Sequence, residues 1–196
     1  MRFANESFRH RNILRPIRPA RSKCSHGFSL IELLIVVAII GIIAAIAVPN
    51  LQASRRAANQ ASAVSTLRAY HTAQMAFRNG NGFLVDFVEL KNLTAGAIDE
   101  VLGSQPNNVP KSGYYFTIGP GILPAGLDPA LADSFTSGGV TVYRGFYIQA
   151  DPIQSSGLSA TGRNGYYIDL SGVIRVEVGG TGAQSTSPPL GEQSGS

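Results

Sequence analysis

The longest apolar stretch of this sequence lies within HGFSLIELLIVVAIIGIIAAIAVPN, residues 26–50. Across residues 28–48 every side chain is apolar or small, apart from Ser29 and one carboxylate, Glu32. As an α-helix this segment would be roughly 31 Å long, since a helix rises about 1.5 Å per residue, and the hydrocarbon core of a bilayer is about 30 Å thick. The sequence therefore predicts a helix that can span a membrane and that carries a charge near its start.

Positive charge is concentrated ahead of this apolar segment. The formal net charge is +4, but residues 1–27 contain seven Arg and Lys against one Glu, whereas the remainder contains nine basic and eleven acidic residues. A basic segment followed by an apolar one marks the cytoplasmic side of a membrane helix. The basic pI therefore belongs to the leader, residues 1–27, and we expect no nucleic-acid partner for the isolated chain.

The predicted helix continues beyond the membrane segment. Residues 50–79 lack Gly and Pro and carry apolar side chains at helical spacing, which predicts an amphipathic half and one long helix over residues 28–79. Pro49 removes one backbone hydrogen bond and clashes with the carbonyl four residues earlier, so a bend or a loosened turn is expected there. Gly41 is a second weak point, or a place of close helix packing in the membrane. The Asn and Gly residues at 79–82 end the helix.

The region after the helix is richer in Gly and Pro and predicts a small antiparallel β-sheet domain, residues 80–178. One short helical segment is predicted at Phe87–Leu93, and Ser171-Gly172 predicts a two-residue hairpin turn. Residues 179–196 are low in complexity, which predicts a flexible tail. The fold class is α+β, with the long N-terminal helix packed on the sheet. The predicted strands, rich in aromatic and β-branched residues, are 114–118, 140–149, 166–170 and 173–178.

Chemical groups typical of enzymes and metal sites are scarce. Cys24, in the leader, is the only cysteine, so no disulfide can form within the chain; lipid attachment is disfavoured because the apolar segment follows the cysteine. His71 is the single histidine after the leader and is interpreted as a packed, hydrogen-bonded helix residue. We therefore expect no zinc site, no catalytic residues, no cofactor and no enzymatic activity, with a membrane-anchored or secreted hydrolase as the alternative. The acidic residues lack calcium-loop spacing, although a calcium site in a loop stays open.

A conventional secretory signal is an alternative interpretation of the apolar segment. Ala45-Ile46-Ala47 matches the small-residue pattern at which such signals are cleaved. Typical signal cores, however, run for about 7–15 residues without a charge. This segment is longer and contains Glu32, so the sequence favours a retained membrane helix.

The sequence GFSLIE, residues 27–32, followed by the apolar run, Gly41 and Pro49, resembles the N-terminal signature of the type IV pilin and pseudopilin family. The segment GYYIDLSGVIR, residues 165–175, is similar to the closing hairpin of many pilins. The order of long helix, connecting segment and antiparallel sheet agrees with that family over most of the rest. There are two departures: His26 stands where Lys or Arg is usual, and the chain has no cysteine pair after the leader to close a C-terminal loop.

The resemblance implies processing followed by assembly. A membrane-embedded prepilin peptidase, which is also the N-methyltransferase, would cut after Gly27 and methylate the new amine of Phe28. An inner-membrane assembly platform would then move the subunits from the membrane into a helical filament whose core is formed by residues 28–48. In this family the carboxylate that corresponds to Glu32 pairs with the N-terminal amine of a neighbouring subunit.

The function implied by the resemblance is that of a structural subunit of a type IV pilus-like filament, and the alternative is a pseudopilin of a type II secretion system. The implied partners are other copies of the chain, the peptidase, the assembly platform and, before assembly, membrane lipid. Before assembly the chain would cross the inner membrane once, with the leader cytoplasmic and the C-terminal domain periplasmic. After assembly it would lie in an extracellular pilus.

The chemistry of Glu32 agrees with this expectation. A carboxylate in hydrocarbon costs about 2.5–3.5 kcal/mol on insertion scales, and no Lys or Arg lies within residues 28–48 to offset that cost. Cleavage after Gly27 would create the nearest positive charge, the α-amine of Phe28. We therefore hypothesise that this amine and Glu32 of a neighbouring copy pair only in the correct axial register. The alternative is a carboxylate near the membrane edge that reaches the lipid head groups.

Overall fold

The computed structural model describes residues 27–77, 82–94, 96–121, 134–137 and 139–192. Helix α1 occupies Leu30–Phe77 and includes Pro49. It begins where the backbone carbonyl of Ser29 accepts a hydrogen bond from the N–H of Glu32 at 3.1 Å. The helix predicted over residues 28–79 is therefore present from its third residue, and its last two residues lie outside the described part of the chain.

The chain forms two compact units, Met1–Gly41 and Ile42–Ser196. The described part of the first unit is mainly the start of α1, in which every residue is exposed. The second unit contains the rest of α1, a short helix α2 at Phe87–Leu93, a 3₁₀ turn at Leu102–Ser104 and the β-strands. Helix α2 coincides with the predicted segment, and the Asp86 carboxylate caps it by accepting hydrogen bonds from two N–H groups of its first turn.

The β-strands described in the second unit are β1 Val109–Lys111, β2 Tyr114–Pro120, β3 Ser134–Ser137, β4 Val140–Tyr143, β5 Phe146–Pro152, β6 Gly165–Asp169 and β7 Arg175–Glu177. Five of them form an antiparallel main sheet in the order β1-β2-β5-β6-β7, whereas β3 and β4 form a separate two-stranded ribbon. Along β5 the side chains alternate between buried and half-buried, because successive side chains point to opposite faces of a sheet. The predicted α+β fold with a small antiparallel sheet is confirmed.

The strand predicted over residues 140–149 is divided in the structure. β4 pairs with β3, whereas β5 lies in the main sheet between β2 and β6. The change of partner occurs at Arg144-Gly145, where the Gly145 carbonyl accepts a hydrogen bond from the Gly121 N–H at 2.9 Å. A Cβ on Gly121 would lie 2.7 Å from the backbone nitrogen of Phe146, so this close approach of two backbones needs glycine.

The connection between β6 and β7 is longer than the two-residue turn predicted at Ser171-Gly172. β6 ends at Asp169, and β7 begins only at Arg175. The buried Asp169 carboxylate accepts hydrogen bonds from both the N–H and the O–H of Ser171, and the Asp169 carbonyl accepts one from the Gly172 N–H at 3.0 Å, so side-chain and backbone bonds together close the turn. Gly172 has the positive φ, 74°, that is typical of a turn glycine.

Residues 179–192 pack along β7, whereas the flexibility predicted for the tail, residues 179–196, stays a prediction and its last four residues lie outside the described part of the chain. The N–H of Val176 donates to the Pro188 carbonyl at 2.9 Å, and the N–H of Leu190 donates to the Ile174 carbonyl at 2.8 Å. These bonds cover the outer edge of β7, which would otherwise expose unpaired backbone groups. Composition gives no information about such backbone contacts, because they depend on the position of the segment next to a free strand edge.

The core of the second unit contains the C-terminal part of α1 and the main sheet. On α1 the buried residues recur every three or four positions, which places them on one face of the helix. Burying a side chain such as Leu67 contributes about 1.5–3 kcal/mol. The ring of Tyr70 packs on Phe87 of α2, with 4.7 Å between the ring centroids. The buried residues of α1 are Ala63, Thr66, Leu67, Tyr70, Ala73 and Gln74.

Candidate functional site

An uncovered apolar surface extends over residues 28–51. Its large apolar side chains are between 44% and 81% exposed. The segment is long and apolar enough to cross a membrane, and none of its most apolar window is buried in the structure. The core helix of a soluble protein can match this length and composition, but its own chain would bury it. The described part of the chain leaves this surface uncovered, and an apolar surface of this size is typical of contact with lipid or with other protein.

Gly27 lies immediately before this surface and is exposed. A Cβ added there would meet no atom within 4 Å, so packing within the described chain gives no reason for glycine at this position. A glycine of this kind suits a partner that must approach the backbone closely, such as a peptidase. The next residue, Phe28, is 74% exposed. The predicted cleavage site thus lies on accessible backbone.

Glu32 is the only charged residue among residues 28–54. It lies in the first turn of α1, where the positive end of the helix dipole favours a carboxylate. Its side chain is exposed, and none of the ion pairs within the described residues involves it. The carboxylate is therefore available to a positive group of another molecule.

Gly41 and Pro49, the two predicted weak points, both lie inside α1 and are exposed. A Cβ on Gly41 would meet no atom within 4 Å, so this position is an open notch into which another helix can pack closely. Pro49 lacks the N–H that would donate to the carbonyl of Ala45, four residues earlier. A bend at Pro49 stays a prediction from this missing hydrogen bond.

Buried titratable groups of the second unit take part in packing. Burial raises the pKa of the Tyr114 phenol, whose O–H donates to the Asn164 carbonyl at 3.1 Å. Burial also raises the pKa of the Asp151 carboxyl, which accepts a hydrogen bond from the Gly182 N–H at 2.7 Å. These contacts attach the loop before β6 and the segment after β7 to the main sheet. Among the described residues, no group of three or more His, Cys, Asp or Glu could hold a metal ion.

His71 is half-buried on α1, and its ring centroid lies 6.0 Å from that of Phe146. A Cβ on Gly172 would lie 3.1 Å from the imidazole ring, so the turn after β6 also packs closely against this side chain. The contacts support the interpretation of His71 as a packed residue. Its buried Nε2, however, has no hydrogen-bond partner within the described ranges, so this atom does not make the predicted hydrogen bond.

Two amide side chains that sequence reasoning missed connect separate parts of the second unit. Gln74 of α1 is fully buried; its Nε2 donates to the Leu84 carbonyl at 2.5 Å, and its Oε1 accepts from the Leu84 N–H at 3.2 Å. Asn107 makes the same pair of bonds with Ile118 of β2, both at 2.8 Å. For Gln74 a signal was available, because the helical period places this polar residue on the apolar face, where it must be hydrogen-bonded.

Residues 22–48 match the protein family described as "Prokaryotic N-terminal methylation motif". Over 63 residues the chain is 48% identical to the type IV major pilin protein PilA of Myxococcus xanthus; this covers 32% of the chain and 29% of that relative. Over 83 residues it is 40% identical to the type IV wide pilus major component PilA4 of Thermus thermophilus, which covers 42% of the chain and 59% of the relative.

The type II secretion system core protein G of Dickeya chrysanthemi is also similar. It is 28% identical over 97 residues, which cover 45% of the chain and 56% of that relative. The chain thus spans less than two thirds of the length of each of these relatives. The predicted resemblance to type IV pilins and pseudopilins is confirmed over the matched residues.

Proposed function

We propose that this chain is a structural subunit of a type IV pilus-like helical filament. The observation that carries the proposal is the uncovered apolar surface over residues 28–51, which follows an exposed glycine and contains one carboxylate that forms no ion pair within the described residues. Lipid covers this surface before assembly, and the same surface of other copies covers it afterwards. The similarity of this part of the chain to pilins and to an N-terminal methylation motif supports the proposal.

Maturation precedes assembly in this proposal. A prepilin peptidase cuts after Gly27, removes the basic leader and methylates the amine of Phe28. The accessible backbone at Gly27 supports this step. Before assembly the mature chain crosses the inner membrane once, with residues 28–48 in hydrocarbon and the sheet domain in the periplasm. An inner-membrane assembly platform then moves the subunit into an extracellular pilus.

Within the filament, Glu32 sets the axial register. Its carboxylate pairs with the N-terminal amine of a neighbouring subunit, which offsets the cost of about 2.5–3.5 kcal/mol for an unpaired carboxylate in hydrocarbon. A subunit in another register leaves both charges buried without a partner, and such a state is strongly disfavoured. The notch at Gly41 lets the neighbouring helices approach closely. Assembly of this kind requires no catalytic residue or cofactor in the subunit.

A pseudopilin of a type II secretion system is the second candidate, and the similarity to core protein G favours it. Both candidates use the same N-terminal processing and the same packing of apolar helices. They differ in the location of the polymer, because a pilus is exposed at the cell surface whereas a pseudopilus stays in the periplasm.

Mass spectrometry of the N-terminus in material sheared from cells tests the proposal. A pilus subunit is expected in the sheared fraction as a chain that begins at methylated Phe28. If methylated Phe28 is found in the membrane fraction alone, the pilus function is wrong and the pseudopilin becomes the better assignment. A chain that keeps residues 1–27 in every fraction would contradict both candidates.

A Gly27→Leu chain is the matched control for this experiment. A Cβ at this exposed position would meet no atom within 4 Å, so the variant should fold and insert normally. It should nevertheless remain uncut in the membrane and be missing from the sheared fraction, because the peptidase needs close access to the backbone.

A further inference from the structure

A basic cleft lies beside α1 in the second unit. Two adjoining cavities, about 380 and 260 Å³ in volume, share the side chains of Arg56 and Arg163. One wall is α1, and the other is the loop between β5 and β6, residues 153–164; Gly179, after β7, also lines the larger cavity. We name this feature the arginine cleft and define it by the lining residues Arg56, Gln60, Ser155, Ser156, Gly157 and Arg163.

Neither arginine of the cleft is neutralised by a carboxylate in the part of the chain that the structure describes. Arg56 donates from Nε to the Gln52 carbonyl at 3.3 Å, which leaves its two terminal nitrogens available. No carboxylate lines either cavity, and neither Arg56 nor Arg163 takes part in an ion pair within the described ranges. Two guanidinium groups together with the hydroxyls of Ser155 and Ser156 provide the donors that a phosphate group prefers.

Hydrogen bonds fix the loop wall of the cleft. Asn59 of α1 donates from Nδ2 to the Thr161 carbonyl at 2.8 Å. Within the loop, the Thr161 N–H donates to the Gln154 carbonyl at 2.8 Å, and the Thr161 hydroxyl accepts from the Gln154 N–H at 3.1 Å. The cleft is therefore formed before a ligand arrives, which lowers the entropic cost of binding.

The arginine cleft adjoins the apolar surface of α1. Arg56 follows Leu51, the last large residue of that surface, by five positions, which is about 7.5 Å along a helix. On the loop wall, Leu158 is next to Gly157 and is 80% exposed. Exposed apolar side chains beside clustered arginines are typical of a protein surface that meets the head-group region of a membrane.

We propose that the arginine cleft binds the phosphate of an anionic phospholipid head group while the subunit resides in the membrane. This inference rests on the membrane stage of the proposed function. Arg56 and Arg163 hold the phosphate, and Leu158 enters the boundary between head groups and acyl chains beside it. The bound lipid holds the subunit at one depth and in one rotation before assembly, and it is released when the subunit leaves the bilayer.

Fluorescence quenching in the full mature chain, reconstituted into lipid vesicles, tests this inference. The chain contains no tryptophan, so Leu158→Trp places a single fluorophore on the loop wall. The vesicles contain equal amounts of phosphatidylglycerol and phosphatidylcholine, with brominated acyl chains on one lipid or the other. Brominated phosphatidylglycerol should quench the fluorescence at least about twofold more strongly, since each arginine near the surface attracts anionic lipid. When Arg56→Gln and Arg163→Gln are added, the two brominated lipids should quench the fluorescence equally.

Three further variants serve as controls. Arg68→Gln removes an exposed arginine of α1 outside the cleft and should keep the lipid preference. The double variant Arg56→Lys and Arg163→Lys retains the positive charge and should keep part of the lipid preference. This result separates loss of charge from misfolding. In a third control, Val101→Trp places the fluorophore away from the cleft, and neither lipid should quench it. Its neighbour Leu102 lines a cavity together with Thr66, which is about 15 Å further along α1 than Arg56.

Equal quenching by the two lipids in the chain with native arginines, or no quenching at all, would overturn the inference. Inorganic phosphate distinguishes the two sources of phosphate. If the chain with native arginines shows no lipid preference, but its fluorescence responds to inorganic phosphate and not to chloride at equal ionic strength, the cleft takes free phosphate and the lipid assignment is wrong. Filament yield is measured separately, because a chain that binds lipid but never enters a filament would refute the proposed function and leave the lipid site intact.

Discussion

Glu32 has an energetic cost that depends on the solvent around it. Exposed to water, as its side chain is in the single chain, the carboxylate is well solvated. In hydrocarbon it costs about 2.5–3.5 kcal/mol, unless a positive group neutralises it. The N-terminal amine created at Phe28 would be such a group. Glu32 therefore disfavours every buried state in which that amine of a neighbour is out of reach.

Replacement of Glu32 by alanine should leave membrane insertion at the native level and reduce the amount of sheared filament by at least about tenfold, because the pair that selects the register is lost. Glu32→Asp keeps the charge on a shorter side chain and is the matched control. Quantitative immunoblots of the sheared and membrane fractions provide the measurement. A native filament yield from the alanine variant would show that Glu32 does not set the register.

Gln74→Ala should lower the free energy of unfolding by about 2–4 kcal/mol. The substitution leaves the buried N–H and carbonyl of Leu84 without partners, and each unsatisfied group costs about 1–3 kcal/mol. Denaturant unfolding of the detergent-solubilised chain measures this loss. Asn92→Ala, an exposed position on α2, should change stability by less than about 0.5 kcal/mol. Equal stability of the two variants would contradict the role given to Gln74.

Asp151 should make the stability depend on pH. Burial raises its pKa above the ordinary value of 3.8, so the folded state prefers the protonated carboxyl. Relative to an Asp151→Asn chain, the native chain should therefore lose stability as the pH rises from below 3.8 through the raised pKa, and the difference should level off above it. Denaturant unfolding of both chains at a series of pH values gives this difference. A difference that stays constant across that range would rule out the raised pKa.

The exposure of the side chains of α1 to solvent changes along the helix. Over residues 30–51 its large apolar side chains are exposed on all sides, whereas from Ala63 onward one face alone is buried. The sequence reflects this change, because a uniformly apolar run gives way to apolar positions at helical spacing. One continuous helix thus supplies both a surface for lipid or other copies and a face for the core of the second unit.

Pro49→Ala should stabilise the turn of α1 around residues 45–49, since alanine restores an N–H that can donate to the carbonyl of Ala45. Hydrogen exchange measured by mass spectrometry in detergent should show slower exchange in peptides that cover residues 45–53. Val48→Ala is the control. Valine already has a backbone N–H, so this substitution should leave exchange unchanged. Unchanged exchange in the proline variant would mean that α1 is already rigid at this position.

Elements with a long pattern could be predicted from the sequence, whereas short or non-local ones could not. The helical period or composition of α1 and α2 extends over enough residues to predict each helix, and the central strands are rich in aromatic residues. β1 was missed because it is three residues long and contains Pro110; its pairing with β2 depends on a turn in which Ser112 and Gly113 both have positive φ. β3, with two serines in four residues, has equally little signal.

The two candidate sites also differ in how far the sequence could predict them. The processing and assembly residues lie within residues 27–49, so their pattern is visible in one stretch of sequence. The arginine cleft unites Arg56 with Arg163, which are far apart in the chain and meet through the loop between β5 and β6. Spacing along the sequence carries no information about that encounter, and only the fold brings the two charges together.

Folding and assembly of this chain use different residues. The core cluster begins at Ala63 and ends at Val176, and it contains no residue of the apolar surface. The described residues of the first unit contribute nothing to that core. Variants in the apolar surface should therefore alter membrane residence and filament yield while the second unit stays folded.

A chain that begins at Gln52 tests this separation. Because residues 28–51 bury none of their large apolar side chains, their removal should cost the second unit no core contact. The truncated chain should be monomeric and water-soluble in size-exclusion chromatography, and its denaturant midpoint should match that of the full chain carrying Glu32→Ala in detergent. The full chain without detergent is the control and should aggregate through its exposed apolar surface. An unfolded or aggregated truncated chain would mean that the apolar segment also supports the fold, and that the assembly surface and the core cannot be separated.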